Sequence, residues 1–270
     1  MASLKAYKMD GLGNSFIIID RRDKTINLSK NEIIKLKKTE NFDQLIYIEE
    51  EQSNILPIKI YNQDGEEVDA CGNGSRCVAY ILGKEKNINE INLKTKNRTL
   101  TAYLVKDQIV KINMGKPNFA WNKIPISKKI DHKNINLDLN GQSFKSGFAL
   151  NVGNPHIIFF VKDCFENDIK KIGPLVENHN LFPERCNLTL AQINDKKNIK
   201  INVWERGAGQ TKACGTAACA TAVASFSKNL TDRKVQISFE QGSLEIEYDN
   251  NQNIFMTGPV SKINIINIQI

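Results

Sequence analysis

The chain has 270 residues, of which 41% are hydrophobic and 25% are charged, a balance typical of folded globular proteins. This composition excludes a wholly disordered chain, a collagen and a coiled-coil rod. No apolar run is long enough to form a membrane-spanning helix. The 37 basic and 30 acidic residues leave a net charge of +7. Because the lysines are scattered among acids, this charge indicates a solvated surface; a nucleic-acid-binding module is the weakest alternative.

The predicted elements are mostly strands, rich in β-branched residues and bounded by Asn, Asp or Gly. In chain order they are FIIID, LIYIEE, ILPIKIY, LTAYLV, QIVKINM, HIIFFV, NIKINVW, VQISFE, SLEIEY and INIINIQI. Helical patterns are fewer: residues 29–37, the stretches after Cys71 and Cys214, and residues 165–178. These patterns predict an α+β fold of two similar lobes, each a strongly curved, mainly antiparallel sheet around a central helix.

The two predicted lobes share a repeated motif. CGNGSRCVAYI (71–81) and CGTAACATAVA (214–224) each open with Cys-Gly and continue as an apolar helical run. A Gly-Asn pair precedes each motif, ending at Asn14 in the first lobe and at Asn154 in the second. The similarities occur in the same order at nearly the same spacing, which suggests duplication. Chance similarity is the alternative, because each motif is short.

The six cysteines are predicted to be free thiols. The opening MASLKAYKMDGLGN has no apolar segment of the kind that a secretory signal needs, so we expect a cytoplasmic, reducing location. The close pairs are C-x₅-C and C-x₄-C without a neighbouring histidine, spacings that zinc sites and thiol redox motifs do not use. We therefore predict no metal site and no disulfide framework.

A cysteine followed by glycine and a helix places a thiol at a helix N-terminus. There the unpaired backbone N–H groups and the helix dipole favour a thiolate, and the same N–H groups can bind a carboxylate. One such cysteine has a purely structural alternative. Two of them, one in each lobe and facing across a cleft, would supply an acid and a base on opposite sides of one carbon, as stereoinversion of an amino acid requires. Cys71 and Cys214 are the candidate pair.

These residues resemble the diaminopimelate epimerase family, cofactor-independent enzymes of lysine and peptidoglycan-precursor synthesis. The matching stretches follow the family's order and extend over essentially the whole chain: MDGLGNSFIIID, YNQDGEEVDACGNGSRC, NVGNPH, LFPERCN, ERGAGQTKACGTAACA and TGPV. The polar segment 116–135, which contains Pro117 and Pro125, places the lobe boundary, so we expect lobes at 1–117 and 118–259. The resemblance implies that residues 260–270 return to the first lobe. It also implies interconversion of LL- and meso-2,6-diaminopimelate by the two thiols, no cofactor, and a homodimer.

The resemblance also assigns roles to individual positions. Backbone N–H groups for the reacting carboxylate would come from Gly72, Asn73, Gly215 and Thr216. The substrate pocket would be lined by Asn14, Gln44, Asn62, Asn154, Asn187, Glu205 and Arg206. Protonation of the thiols would be tuned by His156 and Glu205. From the residues alone, turn caps for the asparagines, a surface ion pair for Glu205 and Arg206 and a structural hydrogen bond for His156 are the alternatives.

Four positions depart from the family pattern. Asp10 stands where the family generally has His, Ser15 where it has Asp, Gln210 where it has Glu, and Ala217 where it has Gly. None of them is a proposed acid, base or substrate contact. The departures therefore bear on local loop structure and leave the predicted reaction class unchanged.

Related isomerases and unrelated thiol proteins are the competing interpretations. Proline racemases and hydroxyproline epimerases share the architecture and the two thiols, but tend to carry CGHG at the first one; Asn73 and the ERGAG segment favour diaminopimelate. Phenazine-synthesis-type isomerases share the fold without both thiols. A thiol redox or metal-binding protein would need cysteine spacings that are absent here.

Overall fold

The computed structural model describes residues 3–23, 26–68, 71–139 and 141–269. The chain divides into two compact units, one formed by Met1–Asn113 with Thr257–Ile270 and the other by Met114–Met256. The first unit is therefore built from both ends of the chain, whereas the second is continuous in sequence. Within the described ranges, no helix has both the length and the apolar character needed to span a bilayer.

The first unit is mainly β-sheet. Its strands up to residue 113 are β1 (Ser3–Asp10), β2 (Ser15–Asp20), β3 (Gln44–Ile48), β4 (Leu56–Asn62), β5 (Glu67–Val68), β6 (Glu90–Lys94), β7 (Thr99–Lys106) and β8 (Ile109–Asn113). β1 pairs antiparallel with β2, β2 parallel with β3, and β3 antiparallel with β4. β4 pairs antiparallel with β5 and parallel with β6, after which β6, β7 and β8 continue antiparallel.

Two helices cover opposite faces of this sheet: α1 (Lys30–Glu40) and α2 (Gly72–Lys86). Ile17 and Ile19 of β2 belong to the apolar cluster that includes the buried residues of α1. Phe16, on the opposite face of the same strand, contacts the first turn of α2. The continuous apolar run FIIID follows from this arrangement, because a strand buried on both faces has no solvent side to alternate with.

The ends of the two helices are set by local chemistry. Ser29 begins α1 as the N-cap of a capping box, in which its side chain accepts the Glu32 N–H and the Glu32 side chain accepts the Ser29 N–H. Cys71 is the N-cap of α2, and Asn87 ends that helix in the left-handed conformation, with φ 53° and ψ 46°. All residues from Asn73 to Gly83 are buried, so α2 is a central helix of its unit.

The second unit repeats this plan. Its strands are β9 (Ile135–Leu139), β10 (Gln142–Asn151), β11 (Pro155–Phe160), β12 (Asn187–Ile193), β13 (Asn198–Glu205), β14 (Gly209–Thr211), β15 (Lys234–Phe239) and β16 (Gly242–Tyr248). Its helices are α3 (Ile169–Glu177) and α4 (Gly215–Ser227). The alanine-rich α4 contacts β10, β11, β12, β15 and β16. Its small side chains allow strands to approach from several directions, so every residue from Ala217 to Ser225 is buried.

The chain closes with β17 (Ile254–Pro259) and β18 (Asn264–Gln269). β18 pairs antiparallel with β1, from the Ser3 and Gln269 pair to the Lys8 and Asn264 pair. The Val260 N–H donates to the Gln108 carbonyl at 2.9 Å, and the Ser261 N–H donates to the Asp10 carbonyl at 2.8 Å. The last strand therefore completes the sheet of the first unit.

The two units share one order of strand pairing. β10 pairs antiparallel with β11, β11 parallel with β12, and β12 antiparallel with β13. β13 then pairs antiparallel with β14 and parallel with β15, and β15 antiparallel with β16. This is the sequence of pairings found from β1 to β7. The predicted α+β class, with two similar lobes that each surround a helix, is confirmed.

The sequence pattern omits four strands of the second unit, β9, β10, β12 and the three-residue β14, and overextends one helix. β9 is short and lies among polar residues. In β10 the apolar alternation is broken by a register shift between Phe144 and Gly147, with Ser146 at a φ of 57°. β12 opens on the polar Asn187, which hides its strand character. The helix predicted at 165–178 is α3, which begins after Asp168, because the Asp168 side chain accepts the Lys170 N–H and caps it there.

Candidate active site

Cys71 lies at the N-terminus of α2, as the sequence predicts. Its backbone is extended, with φ −141° and ψ 110°, and its Sγ accepts the Gly74 N–H at 3.3 Å. A Cβ on Gly74 would lie 2.6 Å from Ile46 Cδ1 and 3.2 Å from Phe16 Cε1, so the absence of a side chain lets this turn pack closely against β2 and β3. The half-buried thiol thus meets a backbone donor at the positive end of a helix, an environment that stabilises negative charge on sulfur.

The Asn14 and Asn73 side chains meet beside this thiol's helix. Asn73 Nδ2 donates to Asn14 Oδ1 at 2.7 Å. Asn73 is only 3% exposed, and among the described residues its Oδ1 has no hydrogen-bond partner. The loop before Asn14 is closed by Asp10, whose Oδ1 accepts the Gly13 N–H at 2.8 Å. Asp10, a departure from the family pattern, therefore has a defined role in holding this loop.

Gln44 and Asn62 form a second polar pair in the first unit. They lie opposite each other where β3 begins and β4 ends, and Gln44 Nε2 donates to Asn62 Oδ1 at 2.9 Å. The adjoining Asp43 accepts the Ser15 N–H through its Oδ2 at 2.8 Å. Ser15, another departure, thus makes its contact through the backbone, which any residue but proline could supply.

Cys214 occupies the corresponding position at the N-terminus of α4. Its φ of −134° and ψ of 112° nearly match those of Cys71, but it is more buried, with 5% of its surface exposed. Its Sγ lies 3.4 Å from Thr216 Oγ1. Burial raises the pKa of the Cys214 thiol well above its usual value, and the negative charge of Glu205 raises it further, against a smaller opposing effect of the Thr216 hydroxyl. Cys214 is therefore protonated at neutral pH.

Glu205 ends β13, and its carboxylate is tied to the neighbouring strand. Its Oε1 accepts the Thr211 hydroxyl. Burial raises the pKa of the Glu205 carboxyl, whereas hydrogen bonds from Thr211 and Cys214 lower it. The adjacent charges of Glu205 and Arg206 suggest a surface ion pair. The Glu205 carboxylate instead interacts with the Thr211 hydroxyl and the Cys214 thiol.

His156, Asn154 and Asn187 form a buried polar cluster. His156 Nε2 lies 2.9 Å from Asn154 Oδ1 and 3.5 Å from Asn187 Nδ2, which also donates to the Pro155 carbonyl at 2.8 Å. The imidazole is fully buried, and its Nδ1 has no partner among the described residues. Burial lowers the pKa of His156 to about 3, with a smaller contribution from the positive charge of Arg206. His156 is therefore a neutral imidazole at physiological pH.

Arg206 is exposed and is held through its backbone and its side chain. Its N–H donates to Asn187 Oδ1 at 2.8 Å, and its Nη1 donates to the Glu184 carbonyl at 2.8 Å. The first contact links Arg206 to the His156 cluster through Asn187. The second uses one of the five guanidinium N–H donors, so a fork that can engage an anion remains.

The predicted residues occupy equivalent positions in the two units. Gln44 opens β3 and Asn187 opens β12, each at the same separation in sequence from the thiol of its unit. Asn62 ends β4 and Glu205 ends β13, again at matching separations from Cys71 and Cys214. The same two strand positions therefore carry two amides in the first unit, Gln44 and Asn62. In the second unit they carry an amide and a carboxylate, Asn187 and Glu205.

Thr211, which donates its hydroxyl to Glu205, was not among the residues that the sequence predicted for the site. It lies opposite Val203 in the β13–β14 hairpin, two positions beyond Gly209, the partner of Glu205. Diagonal neighbours of this kind share a face of the sheet and lie within reach of each other. The signal was present in the segment ERGAGQT, where a glycine-rich turn between two strands sets that register.

The described residues contain no group of three or more His, Cys, Asp or Glu side chains that could hold a metal ion. Cys77 and Cys219, inside the two central helices, are fully buried. Burial raises the pKa of Cys77. Buried apolar surroundings of this kind leave a thiol inert, as packing cysteines are.

Comparison with known proteins places the chain among amino-acid isomerases. The family model described as diaminopimelate epimerase matches residues 6–120 and 148–263. A diaminopimelate epimerase of Pelagibacter ubique is 47% identical over 272 residues, covering 99% of both chains. One from the Wolbachia of Brugia malayi is 38% identical, covering 96% of this chain and 99% of the relative.

Solved structures agree on the fold. A predicted epimerase from Pseudomonas aeruginosa has a TM-score of 0.71 at 13% identity and covers 99% of both chains. A probable proline racemase from Agrobacterium radiobacter has a TM-score of 0.64 at 10% identity, covering 99% of this chain and 93% of the other. At these identities the likeness concerns the fold alone.

Proposed function

This chain belongs to the diaminopimelate epimerase family, and from that premise we propose that it interconverts LL- and meso-2,6-diaminopimelate without a cofactor. The observation that carries the proposal is the matched pair of thiols, Cys71 and Cys214, at the N-termini of equivalent central helices. A 1,1-proton transfer needs two groups of similar chemistry that reach opposite faces of one carbon. Two copies of one structural unit, each with a thiol at the start of its central helix, are suited to that task.

The two thiols differ in their surroundings, and the proposal gives them different starting roles. Cys214 carries its proton, because burial and the charge of Glu205 raise the pKa of its thiol. Cys71, whose Sγ accepts the Gly74 N–H at the positive end of α2, is the base of the proposed step. In one direction Cys71 removes the α-proton, the carbon–hydrogen electron pair stays on the α-carbon, and Cys214 donates its proton to the opposite face. The reverse direction exchanges the two roles.

The carbanion needs strong stabilisation. In our proposal the α-carboxylate binds the N–H groups of Gly72, Asn73, Gly215 and Thr216, which come from the first turns of α2 and α4. Helix N-termini concentrate unpaired N–H groups and positive dipole charge. In a site that excludes water, these donors stabilise the charge that develops on the carboxylate oxygens.

The other predicted residues bind the ammonium groups and the distal carboxylate. Amide side chains suit such a substrate, because they supply donors and acceptors without adding charge. We assign this binding to Asn14, Gln44, Asn62, Asn154, Asn187, Glu205 and Arg206. Arg206 holds the distal carboxylate, since its guanidinium keeps donors beyond the one that contacts Glu184. The neutral imidazole of His156 and the carboxylate of Glu205 set the polarity around the thiols.

We place the reaction in cytoplasmic lysine and peptidoglycan-precursor synthesis, and expect a homodimer. These assignments rest on family membership. Size-exclusion chromatography with light scattering tests the dimer directly, with a monomer mass of 30.5 kDa as the reference.

The test is turnover of LL-diaminopimelate by reduced protein in D₂O, without added cofactor. We expect conversion to the meso form with one deuterium at the inverted carbon, lost in Cys71→Ser and in Cys214→Ser. Cys77→Ser and Cys219→Ser are matched controls inside the same helices and should retain turnover. Proline runs in parallel, and turnover of proline alone would replace the substrate while keeping the two-thiol chemistry. No exchange on either substrate by folded, reduced protein would refute the proposal.

A further inference from the structure

Glu177 is a buried carboxylate to which the proposed reaction gives no role. It is the last residue of α3 and is only 6% exposed. Its Oε2 accepts the indole N–H of Trp204 at 2.7 Å, and its Oε1 accepts the Gly207 N–H at 3.0 Å and an N–H of Arg185 Nη1 at 3.2 Å. Charge-assisted hydrogen bonds of this kind are among the stronger polar contacts in proteins.

The first two donors lie on either side of Glu205 and Arg206. Trp204 directly precedes them at the end of β13, and Gly207 directly follows them in the turn to β14. The Ala208 N–H donates to the Glu205 carbonyl at 3.0 Å and closes the turn. The Glu177 carboxylate therefore holds both ends of the segment 204–207, which carries Glu205, the neighbour of the Cys214 thiol.

The helix α3, which carries Glu177, is capped at its start and packed against Trp204 in its middle. Asp168 caps the start of α3 through the Lys170 N–H. In the middle of the helix, a Cβ on Gly173 would lie 2.5 Å from Trp204 Cγ, so the indole packs directly on the helix backbone. Packing on Gly173 thus orients the Trp204 indole so that its N–H meets Glu177. Movement of the turn away from α3 would break this hydrogen bond.

We propose that Glu177 is a positioning residue that holds Glu205 beside Cys214 and Arg206 toward the substrate. It touches neither the thiol nor, in our assignment, the substrate, and acts by fastening the turn between β13 and β14. The part of the proposal that concerns turnover rests on the proposed function. The part that concerns the environment of Cys214 does not, because thiol reactivity can be measured without substrate.

The experiment is Glu177→Gln in the full-length protein. The amide keeps the shape of the side chain but turns one of its acceptors into a donor, which then faces the N–H of Trp204, Gly207 or Arg185. We expect kcat on LL-diaminopimelate to fall about tenfold or more, because small misplacements of catalytic groups have effects of that size. We also expect iodoacetamide to alkylate Cys214 about fivefold faster at pH 8, with the midpoint of the pH profile lowered, since Glu205 is no longer held against the thiol.

Two further variants keep the result interpretable. Glu166→Gln removes an exposed carboxylate of the same unit and should change neither kcat nor the alkylation profile of Cys214. Trp204→Phe removes only the indole donor while keeping an aromatic ring on Gly173, so it should shift the profile in the same direction by a smaller amount. Peptide mass spectrometry identifies the alkylated cysteine.

An unchanged alkylation profile for Cys214 in folded Glu177→Gln overturns the proposal, even if kcat falls, because a merely structural role would reduce the folded fraction without moving that profile. If Glu177→Gln does not fold, an unchanged profile in Trp204→Phe has the same consequence. Wild-type protein that leaves LL-diaminopimelate unconverted would instead refute the proposed function, and the alkylation data would still decide the role of Glu177.

Discussion

The carboxylate of Glu205 lies beside the thiol of Cys214. Burial raises the pKa of this thiol most, and the neighbouring negative charge raises it further. The carboxylate is held by the Thr211 hydroxyl across the hairpin. Asn62, the equivalent of Glu205 in the first unit, is an uncharged amide and pairs with Gln44. The two units thus place different side chains at one equivalent position relative to their thiols.

Glu205→Gln should lower the pKa of Cys214, because it removes a negative charge that disfavours the thiolate. The measurement is the pH dependence of alkylation at Cys214, whose midpoint should move down. Thr216→Val should move it up, since the lost hydroxyl lowers that pKa in the wild type. Glu240→Gln, at an exposed site of the same unit, is the control. Equal midpoints in all four proteins would contradict this electrostatic account.

His156→Gln should remove part of the acid sensitivity of folding. The folded pKa of about 3 lies below the ordinary 6.5, so between these pH values the unfolded chain binds more protons. Stability that is present above pH 6.5 is therefore lost as the pH falls toward 3, by up to about 1.4 kcal/mol per pH unit. Urea unfolding at several pH values should show a shallower slope for the variant over this window. Parallel curves would show that His156 titrates normally.

Gly74→Ala should destabilise the first unit and impair the Cys71 site. The added methyl would lie 2.6 Å from Ile46 Cδ1, and overpacking of this kind costs about 1–3 kcal/mol. Thermal unfolding measures the loss. Ser75→Ala, one position along, is the matched control. The Ser75 hydroxyl is buried without a partner in the described part of the chain, so its removal breaks no hydrogen bond and should not destabilise the first unit. Similar losses in both variants would exclude a steric cause at Gly74.

Arg206→Lys should raise KM for diaminopimelate about tenfold while changing kcat less. Lysine supplies a point charge and cannot form the two parallel hydrogen bonds of a guanidinium with a carboxylate. Steady-state kinetics separates the two parameters. L-Lysine, which lacks the distal carboxylate, should bind both proteins with similar weak affinity. Arg233→Lys, at a position packed on Phe226 and Tyr248, is the control for a change of basic residue. A fall confined to kcat would contradict the assigned role of Arg206.

Local sequence patterns predicted a substantial part of the fold. The prediction that both Cys-Gly motifs begin helices is confirmed, because a helical run of residues directly follows each motif in the sequence. The strands that carry Gln44 and Glu205 were also predicted from their β-branched composition. β10 was missed, since its irregular backbone near Ser146 interrupts the alternation that identifies a strand. The roles of the site residues stay predictions until turnover and substrate binding are measured.

The sequence by itself determined which residues could do chemistry here: two thiols at helix N-termini, and a set of amide and charged side chains at repeated spacings. Only the tertiary structure decided their environments. His156 has a strongly lowered pKa because its unit buries it completely, and Glu177 meets Trp204 and Gly207 because α3 packs on a hairpin far along the chain. Capping is local and is written in neighbouring residues. Desolvation and long-range hydrogen bonds depend on segments that become neighbours only when the chain folds.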